Sequence, residues 1–297
     1  MKRPPTVLAV LLSALALTGC ATVPDGFARA PENAAVTATG QELRDLPPPP
    51  APIAVGVYRF DDMTGQFRPT DGVQTLSRAV TQGGTSILVQ ALRQAGGGKW
   101  FTVLERERAD NLLRERQIIA DTRARYLGET KINPEALPPL MFAGVLLEGG
   151  VIGYDSDTMT GGLGARYLGI GSSTKYRQDT ITVYLRAVSV KTGEILSSVV
   201  VRKSIVSVGV DASTYRFIAF KDLLEIEGGV TVNEPGVVAL EQAVGKATRD
   251  LIIDGARQGV WAFADPAAAA PLLAQPAVPE PRAAPRALPA IRRPQGK

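Results

Sequence analysis

The stretch MTGGLGARYLGIGSS, Met159 to Ser173, follows the acidic residues Asp155 and Asp157 and sets five glycines within eleven residues. Three ligand readings of such a tract can be tested position by position. A dinucleotide fingerprint needs G-x-G-x-x-G at a strand-to-helix turn. Gly162 and Gly164 supply the first two glycines, but Tyr167 stands at the third and no amphipathic helix follows. A calcium loop opening at Asp155 needs glycine at its sixth position and glutamate at its twelfth, where Thr160 and Arg166 stand. The nearest approach to a phosphate loop, GGGKW, has Arg93 in place of its first glycine and Trp100 where a magnesium-binding hydroxyl belongs. What is left is a strand in which small residues allow bending and close backbone approach, with Tyr167 and Tyr176 as candidate interface aromatics.

The neighbouring sequence supports a strand reading. DTITVYLRAVSV alternates, KTGE is a turn, and ILSSVVVRKSIVSVGVD keeps strand character far beyond the roughly five or six residues of an ordinary strand. Val206, Val208 and Val210 fall on one face of it, and Ser207, Gly209 and Asp211 on the other. Apolar on one side and polar on the other is the pattern of a membrane barrel strand. STYRFIAFKDLLEIEGG occupies, after this strand, the place that the glycine tract occupies before it. Both inserts, about 155–179 and 203–227, can form a hairpin of two strands of about ten residues, the length a tilted membrane strand needs. Two hairpins cannot close a barrel, and open edges in lipid are prohibitive, so several subunits would share one. Periodicity alone fits equally well two soluble hairpins that extend the domain's own sheet.

The inserts interrupt an α/β pattern. Pro52 to Phe60 reads as a buried strand, Thr85 to Gly98 as a helix stopped by glycines, and WFTVLE as a returning strand. RADNLLRERQIIAD sets Ala109, Leu112, Leu113 and Ile119 on one helical stripe, and MFAGVLLEGGVIGYDSD reads as a further buried strand. From Asn233 and Pro235, the residues Val237, Leu240, Val244, Ala247 and Leu251 predict a long helix that closes the same core. The expected organisation is a core over 51–263, an extended Pro-rich tether over 20–50, and a disordered Pro/Ala-rich tail over 264–297.

The N-terminus begins MKRPP, continues with about a dozen apolar residues, and reaches LTGC at Leu17 to Cys20. The run is too short for a permanent span. It reads as a signal peptide, 1–19, ending at a lipobox, with Cys20 the lipidated first residue of the mature chain. A diacylglycerol and an N-acyl (palmitate-type) lipid on Cys20, at roughly 0.8 kcal/mol per buried methylene, would anchor it stably. Ala21, rather than an aspartate, favours export to the outer membrane. With no histidine and Cys20 as the sole cysteine, histidine triads, Cys/His zinc sites, catalytic thiolates and internal disulfides are excluded. A net charge of +4 argues against nucleic acid. Asp61 with Asp62, or Asp155 with Asp157, could serve acid–base chemistry, but no nucleophile or oxyanion site accompanies them. We therefore expect no catalytic residues, no metal and no enzyme.

Taken in order, DDMTGQFRP, LLRERQII, GARYLGIGSSTKY, KTGEILSSV, YRFI and NEPG resemble the CsgG family, the curli production assembly/transport components. That resemblance covers about 52–261 and the lipobox. It implies a mixed α/β periplasmic domain with two β-hairpins per subunit, about nine subunits sharing one transmembrane β-barrel. Unfolded curli-type amyloid subunits would cross it without ATP, helped by a periplasmic cap and a surface nucleation protein. Val206, Val208 and Val210 would then face lipid, and Ser207, Gly209 and Asp211 the lumen. The family narrows its channel with an aromatic, an amide and a second aromatic after a GQF[KR]P motif. Alignment on GQFRP and AVTQ puts Thr70 at the first aromatic, Thr75 at the amide with Gln74 as the alternative, and Leu76 at the second aromatic. Neither aromatic is retained, which implies a wider or softer ring kept apolar by Leu76. The competing expectation is a monomeric, outer-membrane-anchored lipoprotein that serves as adaptor for a cell-envelope enzyme.

Overall fold

The computed structural model describes residues 36–65, 80–161, 174–211, 214–218 and 235–275. Six strands form one sheet: β1 (Ile53–Asp62), β2 (Phe101–Glu105), β3 (Val145–Gly161), β4 (Thr174–Ser189), β5 (Ile195–Asp211) and β6 (Thr214–Ile218). Their order is β2-β1-β3-β4-β5-β6. β1 pairs in parallel with β2 and β3, and the remaining pairs are antiparallel. Five helices accompany the sheet among the described residues: α1 (Ala38–Arg44), α2 (Gly84–Gln94), α3 (Ala109–Leu127), α4 (Pro235–Arg257) and α5 (Pro266–Leu273). The fold is mixed α/β. Parallel strands need crossover connections, which α2 and α3 supply, whereas the antiparallel pairs need only turns. At KTGE the turn closes with Gly193 at φ 73°, a conformation glycine adopts without steric cost.

One face of the sheet is oily and covered. Val55, Val57, Leu147, Ile181, Val183, Leu185, Ala187 and Val201 are buried, and along β4 they alternate with the half-exposed Thr182, Tyr184, Arg186 and Val188 as the period of two requires. Against them lies α4, which buries Ala239, Leu240, Ala243, Val244, Ala247, Leu251 and Ile252 at spacings of three and four. The Ser197 hydroxyl donates to Asp254 at 2.6 Å and ties β5 to the last turns of that helix. Gly149 marks a close approach, because a Cβ there would stand 2.5 Å from the Tyr184 carbonyl oxygen and 2.8 Å from the Phe60 ring.

At both ends the ordered domain is larger than the sequence predicts. Residues 37–50 are not wholly a tether. Thr37 caps α1 by accepting from the Gly40 amide, Leu43 and Leu46 are buried, and Pro47 and Pro48 accept hydrogen bonds from Trp100 Nε1 and the Ala264 amide. Proline runs read as spacers because they lack donors, yet their carbonyls still accept. Nor is the tail structureless from 264. Asp265 caps α5 through the Ala267 amide, and Ala269 is buried. Ala269 with the half-buried Leu272 and Leu273 supplies that contact, one turn of helix and too short a run to register as apolar periodicity.

α3 differs in the opposite sense. The helix forms, but none of its side chains is buried. Ala109, Leu112, Arg116, Ile119, Ala120 and Arg123 are half-covered, while Leu113 and Ile118 are exposed. The half-covered stripe meets the chain that follows: Arg116 donates to the Pro138 carbonyl, and Arg123 grips Glu129 through two nitrogens at 2.8 and 2.5 Å. The helix and the segment 129–142 make an arm outside the main core.

Candidate functional site

β3, β4 and β5 hold 17, 16 and 17 residues. At ~3.3 Å per residue that is a length of roughly 55 Å, about three times an ordinary strand. The helices cover only part of it. Among the described residues the last buried positions on the three strands are Tyr154, Asp179 and Ile205; register sets Asp179 opposite Ile205, and Tyr154 opposite Ile181, two residues along β4 from Asp179. Beyond these positions the strands continue in unbroken antiparallel pairing, Gly161 opposite Thr174 and Tyr176 opposite Val208. β1 stops at Val151 of β3, so past it β3 pairs only with β4 among the described residues. β6 adds a fourth strand alongside the outer part of β5, Val206 opposite Ile218.

Polar contacts mark the line where core gives way to projecting strand. Tyr154 donates its hydroxyl to Asp179 Oδ1 at 3.0 Å within the buried layer. On the opposite face Thr180 and Ser204 share a hydrogen bond of 2.8 Å. Register then continues in rows. Thr158, Arg177, Ser207 and Phe217 form one, and Met159, Tyr176, Val208 and Arg216 the next. Strand alternation sets Val206 and Val208 on one face and Ser207 and Gly209 on the other. Val206 itself is half-exposed, whereas the side chains of Ser207, Val208, Gly209, Val210 and Asp211 lie outside the described residues. So do Cys20, the glycine tract over 162–173, and Thr70, Gln74, Thr75 and Leu76.

The stem of the segment 66–79 is described, and Asp62 organises it. Asp62 Oδ1 accepts from the Thr64 amide at 2.9 Å and hydroxyl at 2.6 Å, and its other oxygen accepts from Gln82 Nε2 at 3.4 Å. Met63 donates its amide to the Val151 carbonyl at 2.9 Å. Both ends of the segment therefore meet on one carboxylate at the edge of the projecting strands. Reading the sequence as DD missed this role, because an Asx turn needs only an aspartate and the backbone amide two residues on, which leaves no further mark in the sequence. Asp61 is held by Arg59 at 3.1 Å, and Asp155 and Asp157 stand exposed on β3.

Two other carboxyl groups are displaced from their ordinary acidity. The Arg123 hydrogen bond lowers Glu129, and burial against α4's surroundings raises Glu241. Among the described residues no group of three or more His, Cys, Asp or Glu could hold a metal, and no helix is long and apolar enough to cross a membrane. A cleft of about 500 Å³ lies beside the edge strand, lined in part by Val89, Arg93, Phe101 and Val103.

Comparison with known proteins places this arrangement. The family model described as curli production assembly/transport component CsgG matches residues 36–270. The protein of that name from Salmonella typhimurium is 42% identical over 255 residues, covering 86% of this chain and 90% of its own length. The Escherichia coli K12 protein of that name shows the same identity and coverage. A Xanthomonas campestris protein of solved structure is 13% identical over 69% of this chain and 84% of its own, with a TM-score of 0.32. At that score it bears on neither fold nor function.

Proposed function

Because the chain belongs to the CsgG family of curli production assembly/transport components, we propose that it is an outer-membrane secretion channel for unfolded curli-type amyloid subunits. The observation that carries this reading is the continuation of β3, β4 and β5 past Tyr154, Asp179 and Ile205, with β6 beside them. Strands that outrun their own core need another solvent or another partner for their edges. In lipid only closure satisfies every backbone group, and four strands from one copy cannot close. About nine copies joined edge to edge would form a wall with Val206, Val208 and Val210 toward lipid and Ser207, Gly209 and Asp211 toward the lumen. Acyl chains on Cys20 would hold each copy at the membrane, with the α/β domain in the periplasm.

Transport of an unfolded chain calls for weak contacts repeated by symmetry, so that no point along the path becomes a trap. The stem on Asp62 and Gln82 leads into the segment that carries Thr70, Gln74, Thr75 and Leu76. A ring of these side chains would narrow the path without closing it, and passage would need no ATP. A periplasmic cap and a surface nucleation protein would serve the two mouths. Purified particles in detergent, seen end-on by electron microscopy, are expected to be closed rings with a central opening. Monomers, or particles without an opening, overturn the channel and leave the anchored adaptor. Leu76→Phe should lower single-channel conductance by restoring a bulky ring; an unchanged conductance removes Leu76 from the constriction.

A further inference from the structure

Two surfaces with exposed apolar residues have no partner among the described residues. One is the arm: Leu113, Tyr126, Leu127, Ile132 and Phe142 are 53, 82, 62, 67 and 89% exposed. The other is the open face of the sheet, where Leu146, Tyr184 and Val188 are half-exposed and Val200 is 44% exposed around the Arg186–Glu148 ion pair, with Ser198 and Arg202 exposed beside them. Right-handed crossovers explain why the two are related. The step from β1 to β2 puts α2 on the covered face, and the return step from β2 to β3 therefore puts α3 on the open side. Both roots of the arm confirm the side, since a Cβ on Gly56 would meet Arg106, Leu146 and Ala143 at 3.1 to 3.4 Å. In a doubly wound domain this helix would lie down on its own sheet. Here it stands away, with none of its side chains buried.

We infer that the arm of one copy, α3 with 129–142, docks on the open face of β4 and β5 in the neighbouring copy. This rests on the shared-wall reading, and strand order supplies the argument for the occupant. A wall of projecting hairpins allots each copy the width of β3, β4, β5 and β6, about 4.8 Å per strand. The sheet below it holds β1 and β2 as well, on the far side of β3. Those two strands and the arm must overhang the next copy's share of the wall. The overhang arrives beside that copy's β5, with the arm on the open-face side. Each copy then gives one surface and receives the other, the head-to-tail relation that generates rings. Burying half-exposed aliphatic groups at ~25 cal/mol per Å² favours that contact.

The test uses Leu113→Cys labelled with a benzophenone maleimide, in the full chain assembled in detergent, with the unsubstituted chain as control for Cys20. Irradiation is expected to give an adduct of twice the subunit mass, mapped by mass spectrometry to peptides within 180–204 of the second copy. Ring-shaped particles whose adducts stay within one chain, or fall elsewhere on the neighbour, overturn the docking and leave the channel standing. Particles that are not rings overturn both. As a second measurement, Leu113→Asp together with Leu127→Asp should lower the temperature at which rings dissociate while the far-ultraviolet spectrum is retained. Rings of unchanged heat stability contradict the inference.

Discussion

Trp100→Ala should cost ~3–5 kcal/mol of folding stability, a large part of the 5–15 kcal/mol typical of a domain. Trp100 is fully buried, crosses Phe263 edge to face at 5.1 Å, and donates Nε1–H to the Pro47 carbonyl at 2.8 Å. It therefore joins three separate stretches of chain: the residues before β1, the start of β2, and the segment after α4. The close fit is visible at Gly96, where a Cβ would stand 2.6 Å from the indole. Alanine removes the packing and leaves the Pro47 carbonyl without its donor. In a Cys20→Ala background, which removes the proposed site of acylation, the urea midpoint should fall by on the order of 2 M, given slopes of ~1–3 kcal/mol per M. Trp100→Phe should recover part of that loss through packing alone. A midpoint unchanged by Trp100→Ala would mean that the N-terminal segment is not integrated into the core.

How much of this was legible beforehand depended on where the free energy is local. The helix of α4 could be read from Leu240, Val244, Ala247 and Leu251, because burial against a sheet imposes a 3.6-residue period on the sequence itself. β5 could be read from its long alternation for the same reason. The order of Leu43 and Leu46 could not, since each depends on contacts with remote residues and no periodic stripe surrounds it. α3 shows the limit from the other side. Its stripe predicted a helix, but periodicity records only that a face must be covered, not which molecule covers it. The stem on Asp62 was hidden because a side chain that accepts from a backbone amide two residues on and from Gln82 resembles, in sequence, any acidic pair. CsgG membership was carried by ordered motifs and did not depend on any of these.

The two faces of β5 offer the sharpest contrast. Val208→Arg is expected to prevent ring assembly, whereas Ser207→Arg should leave rings intact and shift the pore toward anions. An arginine facing lipid costs ~2–4 kcal/mol at the bilayer midplane and less near the interfaces, and ring symmetry repeats that cost in every copy. At Ser207 the same side chain would enter water, where a ring of positive charge alters selectivity without opposing closure. Assembly is read from heat-modifiable oligomers in detergent extracts, and selectivity from reversal potentials in planar bilayers. Equal assembly of both variants would show that neither face meets lipid, and the hairpins would then belong to a soluble sheet. Loss of rings from Ser207→Arg alone would invert the faces while keeping the wall. The comparison is informative because the two positions are adjacent on one strand, so differences in expression, export and lipidation are shared, and only the direction of the side chain separates them.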